Sequence, residues 1–183
     1  MKAYLAGPDV FLPNAVQHAA AKIQICAAYG LIGLAPLEDV TQISASPPAD
    51  IWRAIFHKDI EMMKACDLII ANLTPFRGAS ADAGTLVELG WFLGRGKPIF
   101  GYSNSAASFR ERSLAQQTAL PDPIPAVAVE DFGLPDNLMV PGAVELGSGL
   151  AITLPPDGLT RPFNALDIFE TCVAQAARHL GLR

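Results

Sequence analysis

Two carboxylates six positions apart, Asp82 and Glu88, lie in the run Ser80-Ala-Asp-Ala-Gly-Thr-Leu-Val-Glu-Leu-Gly90. A third, Asp67, opens the apolar run Asp67-Leu-Ile-Ile-Ala-Asn-Leu73, whose length and β-branched content suit a buried strand. A Pro- and Gly-marked loop, Thr74-Pro-Phe-Arg-Gly78, separates the two and precedes a helix. The pattern gathers all three carboxylates around one strand-to-helix turn. In an open α/β sheet, ligands bind in the crevice beyond the carboxyl ends of the strands. Carboxylates there without Lys or Arg at helical spacing cost stability and are useful for chemistry. The plainer reading makes Asp82 a charge favoured by the helix dipole and Glu88 a solvated residue.

The set lacks a Ser-His-Asp relay, because His18, His57 and His179 fall in helical stretches away from it. No G-x-G-x-x-G or Walker loop is present, so no dinucleotide or nucleoside triphosphate cofactor is indicated. Tyr4 stands on the first strand, just before Gly7-Pro8. A carboxylate nucleophile with a tyrosine and a second carboxylate suits capture of an oxocarbenium-like sugar carbon as a covalent glycosyl-enzyme.

Alternating strands and helices must position these groups. Strands are expected at 3–6, 31–35, 67–73 and 98–102, with a fifth at 126–129. The first helix is expected from Asn14 to Tyr29, burying Val16, Ala20, Ile23 and Ala27, with Gly30 just past its end. Asp50 is placed as the N-cap of a second helix running to Lys64, with Ile51, Ile55, Met62 and Met63 inward. A third helix covers 83–95 and is closed by Gly96. A final amphipathic helix covers 165–180, burying Leu166, Phe169, Val173, Ala177 and Leu180. Residues 140–160 are punctuated by Gly and Pro and carry no assignment. The alternation implies a parallel sheet built from right-handed crossovers.

The 183 residues suit one domain with a real core. A hydrophobic content of 51% against 17% charged residues points to buried contacts between subunits. No stretch approaches the ~20 uninterrupted apolar residues of a membrane span, and the amino-terminal residues are too short an apolar run for a secretory signal. Cys26, Cys66 and Cys172 are widely spaced in apolar context, as reduced core thiols of a cytoplasmic protein would be, and no metal cluster is expected. A net charge of -5, with 13 Lys and Arg spread singly, argues against a nucleic-acid surface. The expected partners are a small molecule and other copies of the chain.

Five blocks carry a resemblance: Tyr4-Leu-Ala-Gly-Pro-Asp-Val-Phe11, Cys66 to Gly78, Ala81 to Gly90, Gly96-Lys-Pro-Ile-Phe-Gly-Tyr102 and Asp136-Asn-Leu-Met139. In this order and spacing the chain resembles the nucleoside 2-deoxyribosyltransferase family. The resemblance implies a flavodoxin-like, doubly wound sheet of about five parallel strands with helices on both faces. It implies transfer of a 2-deoxyribosyl group between the bases of 2′-deoxynucleosides, without metal or cofactor. It makes Glu88 the nucleophile at C1′, Tyr4 its support and Asp67 the group that handles protons on the base. Asp82 would bind the sugar 5′-hydroxyl, with Gly7, Phe11, Gly84 and Met139 also lining the substrate. Asn137 would reach into a neighbouring subunit, making a homo-oligomer, a dimer or trimer of dimers, with shared sites. Two alternatives stay open: an N-hydrolase of 2′-deoxynucleoside 5′-monophosphates, which Asp82 would repel, and a non-catalytic nucleotide-binding module.

Overall fold

Four short apolar strands form one parallel sheet, β1 (Lys2–Ala6), β2 (Ile32–Leu34), β3 (Leu68–Asn72) and β4 (Ile99–Tyr102), in the order β2-β1-β3-β4. They belong to a computed structural model that describes residues 1–37, 48–120, 124 and 126–182. Six α-helices are described with them: α1 (Ala15–Ala28), α2 (Pro48–Ala65), α3 (Ala83–Gly94), α4 (Phe109–Ala119), α5 (Met139–Ser148) and α6 (Asp167–His179). A single 3-10 turn, Pro8–Phe11, leaves β1. Part of the polar loop expected before α2 lies outside the described residues. None of the helices searched is long and apolar enough to cross a membrane.

Side chains alternate across the sheet because a strand has a period of two. Tyr4, Ala6, Ile69, Ala71 and Ile99 point to one face, where they pack with Met63 of α2, Leu89 and Phe92 of α3 and Val144 of α5. Ala3, Leu5, Leu68, Ile70, Phe100 and Tyr102 point to the other, against Cys26 of α1 and Phe169, Cys172 and Val173 of α6. The sheet is therefore doubly wound, with both faces covered. All three cysteines are buried free thiols in these two cores.

Several expectations are corrected. The segment 126–129 is not a strand; Ala126 has a left-handed φ of 60°, which breaks extended backbone at its start. The place beside β4 is taken instead by Thr153, which bridges Tyr102 in parallel and exchanges backbone hydrogen bonds with Gly101 and Ser103. Asp50 is inside the first turn of α2, paired with Arg53 at 2.7 Å, and is not its N-cap. Helix α4 is polar and four of the ten residues of α5 are Gly, Pro or Ser, so neither shows a readable stripe.

The buried face of α1 is also not the apolar one. Val16 is 67% exposed, whereas His18, Ala19, Lys22 and Cys26 are buried. His18 and Lys22 are one turn apart and share a face, and both meet Asp9 of the 3-10 turn. Lys22 Nζ donates to Asp9 Oδ2 at 2.7 Å, and His18 Nε2 lies 3.4 Å from Asp9 Oδ1. Asn72, at the end of β3, donates to the same Oδ1 at 2.9 Å. Lys22 Nζ also stands over the Phe169 ring, 4.6 Å from its centroid. Burial alone would raise the Asp9 carboxyl, but Lys22 and His18 hold it well below the usual carboxylate range.

The pair thus fastens the carboxyl ends of β1 and β3 to α1 and α6. Neutralising one partner leaves the other charge buried and uncompensated. Asp9→Asn should cost about 3–5 kcal/mol in urea unfolding. The double variant Asp9→Asn/Lys22→Met should unfold at a higher urea midpoint than Asp9→Asn alone; a lower one would show that the pair is not what holds this corner.

Candidate active site

Tyr4 sits at the middle of β1 on the α2/α3 face, wholly buried, and its hydroxyl donates to Glu88 Oε1 at 2.6 Å. Phe92, one helical turn after Glu88, stacks on the Tyr4 ring at 6.0 Å. Sheet and helix therefore fix the two ends of one hydrogen bond. Burial pushes the Glu88 carboxyl up to about 7; the charges of Asp59 and Asp82 add to the rise and the Tyr4 hydrogen bond opposes it. Burial, and then Glu88 itself, push the Tyr4 phenol far above its ordinary value, so it remains a hydrogen-bond donor. A half-buried carboxylate that titrates near neutrality fits a nucleophile or a proton carrier.

Asp82 is the N-cap of α3. Its Oδ2 accepts from the Thr85 N–H at 3.1 Å. Gly84 leaves that carboxylate room, since a Cβ there would stand 3.1 Å from Asp82 Oδ2. Gly7 is required more strictly: its φ is +152°, and a Cβ would fall 2.7 Å from the Asn72 Cβ. β1 and β3 thus leave the sheet in close contact at this edge. Phe11, 57% exposed, stacks on Phe76 of the β3 exit loop at 5.6 Å and 8°. The Arg77 guanidinium lies over both rings, at 4.8 and 4.7 Å, and Phe163 meets Phe76 at 5.8 Å. The result is an exposed aromatic platform of the kind on which a planar ring stacks.

Asp67 does not join this cluster. It is exposed at the amino end of β3, and its Oδ2 accepts from the backbone N–H of Lys2 at 2.7 Å. Because β1 and β3 are parallel, with Ala3 opposite Leu68, that end is the edge away from the exit loops. The acidic group whose charge acts on both Tyr4 and Glu88 is Asp59, on α2. The sequence reading passed over it because one carboxylate among the charges of α2 looks like a solvated face; its signal was its place in a helix that must pack over β1.

Asn137 is hydrogen-bonded to nearby residues of the same loop region. Its Nδ2 donates to Glu130 at 3.0 Å and its Oδ1 accepts from the Met139 N–H at 3.2 Å. Met139 opens α5 and is 68% exposed. An open cleft of about 470 Å³ lies beside Asn137, lined by Ser80, Phe109, Gln116 and Glu130 among others, and Glu88 is not among its walls. The candidate site centres on the Tyr4–Glu88 pair, a buried phenol on a half-buried carboxylate, and the cleft adjoins it through the 79–82 loop.

Comparison with known proteins identifies the family and a shared fold. Residues 3–139 match the family described as nucleoside 2-deoxyribosyltransferase. A solved 2-desoxiribosyltransferase from Leishmania mexicana is similar over 97% of both chains, with a TM-score of 0.65 and 28% identity. A 2-deoxyribosyltransferase from Bacillus psychrosaccharolyticus aligns over 56% of this chain and 72% of its own, at 24% identity and a TM-score of 0.44. An uncharacterized protein of Schizosaccharomyces pombe is 28% identical over 97% of this chain and 89% of its own. With its family match spanning all five blocks and the Tyr4–Glu88 pair within them, the chain belongs to the nucleoside 2-deoxyribosyltransferase family.

Proposed function

We propose that the protein moves a 2-deoxyribosyl group between purine or pyrimidine bases through a covalent ester on Glu88. The observation that carries this reading is the half-buried Glu88 carboxylate held by the buried Tyr4 hydroxyl at 2.6 Å. Glu88 attacks C1′, the glycosidic C–N bond breaks, and the base departs with a proton. An incoming base then attacks C1′, loses its own proton and frees Glu88. Asp59 takes the proton-handling role first expected of Asp67, since its charge reaches both members of the pair. Asp82 reads the 5′-hydroxyl with the oxygen left over from capping, and the Phe11–Phe76 platform stacks the base. The Ser80 hydroxyl is committed to Asp136 at 2.5 Å, which works against a 5′-phosphate site. The three buried thiols support a reducing, cytoplasmic setting.

The site is completed across a subunit boundary in this reading. Val87 of α3 and Met139 and Leu146 of α5 are 70%, 68% and 79% exposed, and the two helices pack side by side. Mixing inactive Glu88→Ala and Asn137→Ala proteins under subunit exchange should restore activity in hybrids that hold one intact site. No recovery after verified exchange would mean that each chain builds its own.

Incubation with deoxyinosine plus free adenine or cytosine, followed by chromatography, tests the main reading. A new deoxynucleoside identifies a transferase, free base alone a hydrolase, and no change a binding module. Glu88→Ala should lose turnover by orders of magnitude. Asp82→Ala should lose both the cap, about 1 kcal/mol of stability, and the sugar contact. Asp82→Ser keeps a cap, so its stability should stay close to wild type while kcat/KM drops by about 1.5–3 kcal/mol.

The pH dependence follows from Glu88, whose ionised form attacks. The kcat/KM profile should rise with pH through about 7. The folded chain binds this proton more tightly than the unfolded chain. Its stabilising contribution is therefore complete below the ordinary value of 4.5 and is lost as pH rises through about 7. Glu88→Gln retains an acceptor for Tyr4 and removes the buried charge. Its Tm should exceed that of wild type at pH 8 and match it near pH 4.5; equal offsets at both would refute the burial account.

A further inference from the structure

Asp136 is 1% exposed and has no part in the chemistry above. Its Oδ1 accepts from the Ser80 hydroxyl at 2.5 Å and from the Asn137 N–H at 2.7 Å, and its Oδ2 accepts from the Ala81 N–H at 2.9 Å. Arg112 of α4 works alongside it. Its Nε donates to the Ala79 carbonyl at 2.8 Å, its Nη2 to the Pro135 carbonyl at 2.5 Å, and its Nη1 to the Ala107 carbonyl. The stretch 79–81 and the stretch 135–137 are therefore tied together residue by residue, by one anion taking N–H and O–H donors and one cation taking carbonyls. The first stretch runs into the proposed sugar ligand of this chain's own site, and the second carries the residue read as completing the neighbour's. Ala81 leads directly into Asp82, and Asp136 into Asn137.

We infer that Asp136 is a positioning residue that sets Asp82, and with it recognition of the sugar 5′-hydroxyl, by holding the loop before the α3 cap. The inference rests on the reading of Asp82 as the 5′-hydroxyl ligand. A buried carboxylate is expensive unless fully hydrogen-bonded, and an apolar contact would join two loops at lower cost. What a carboxylate adds is direction. Three donors converge on two oxygens, so the loop before the α3 cap has one conformation available. That conformation aims the Asp82 oxygen not used by Thr85, and displacement of such a ligand by about 1 Å removes most of its effect on the transition state.

Asp136→Asn keeps the shape but turns an amide N–H₂ toward one of the three donors. Ser80→Ala removes one hydrogen bond and leaves the carboxylate, so it serves if the first variant does not fold. The measurement is the ratio of kcat/KM for a 2′-deoxynucleoside to that for the corresponding 2′,5′-dideoxynucleoside, which lacks the 5′-hydroxyl. Wild type should favour the hydroxyl by about tenfold or more, the scale of a hydrogen bond to a charged group. In Asp136→Asn the ratio should fall to near one, with turnover of the dideoxynucleoside within about threefold of wild type; Ser80→Ala should fall between. A structural role alone would lower both substrates equally and leave the ratio unchanged, which would overturn the inference while the Asp82 reading stands. A wild-type ratio of one would instead overturn the Asp82 reading, and the inference with it.

Discussion

One hydrogen bond, from the Tyr4 hydroxyl to Glu88, sets the terms for the active edge of this protein. Its donor is rooted in the sheet and its acceptor in α3, so the packing of those two layers fixes the length of the bond. The Phe92 ring, packed on Tyr4, resists any rotation of the helix that would lengthen it. The cost is a carboxylate enclosed with two other acidic side chains near enough to raise its affinity for a proton. Such a group is destabilising in its ionised form and reactive for the same reason.

Beneath that bond, the same edge is kept rigid by charges of opposite sign. Asp9 collects Lys22, His18 and Asn72, and through them the exits of β1 and β3 are bound to α1. Lys22 reaches on to the aromatic rings of Tyr102 and Phe169, so the 3-10 turn, β4 and α6 meet at one amine of α1. The loops that carry Phe11 and Phe76 depart from this corner. Their stacking needs no help from a ligand, and the entropy of ordering them is met during folding and not on binding.

The order and type of the main elements were legible because their signals are local. Buried parallel strands read as apolar runs, and Gly30 and Gly96 mark the ends of α1 and α3 with φ of 78° and 62°. The Tyr4-to-Glu88 approach, 84 positions apart in sequence, was legible only through resemblance. Polarity within the sheet was misread at Asp67: a residue that begins a parallel strand stands at the edge opposite the crevice, so its carboxylate and that of Asp82 diverge. The α1 stripe failed for a different reason. Hydropathy assigns Lys22 to solvent, and only a distant anion, Asp9, makes its burial tolerable. Helix α4 went unseen because it is held by Arg112 and a Ser108–Glu111 capping box and not by an apolar face.

Asp82 caps α3 and, on the proposed reading, also holds the sugar, and this narrows the routes by which the protein can diverge. A replacement that cannot cap α3 weakens the helix that holds Glu88, so drift at this position is confined to Asn, Ser, Thr and Gly. Of these, Asn and Gly are each one base change from either aspartate codon, and both discard the charge. On the proposed reading, a single mutational step that stays folded thus also stops repelling an anionic 5′ substituent. On that reading, the boundary between nucleoside and nucleotide substrates is one substitution wide at residue 82.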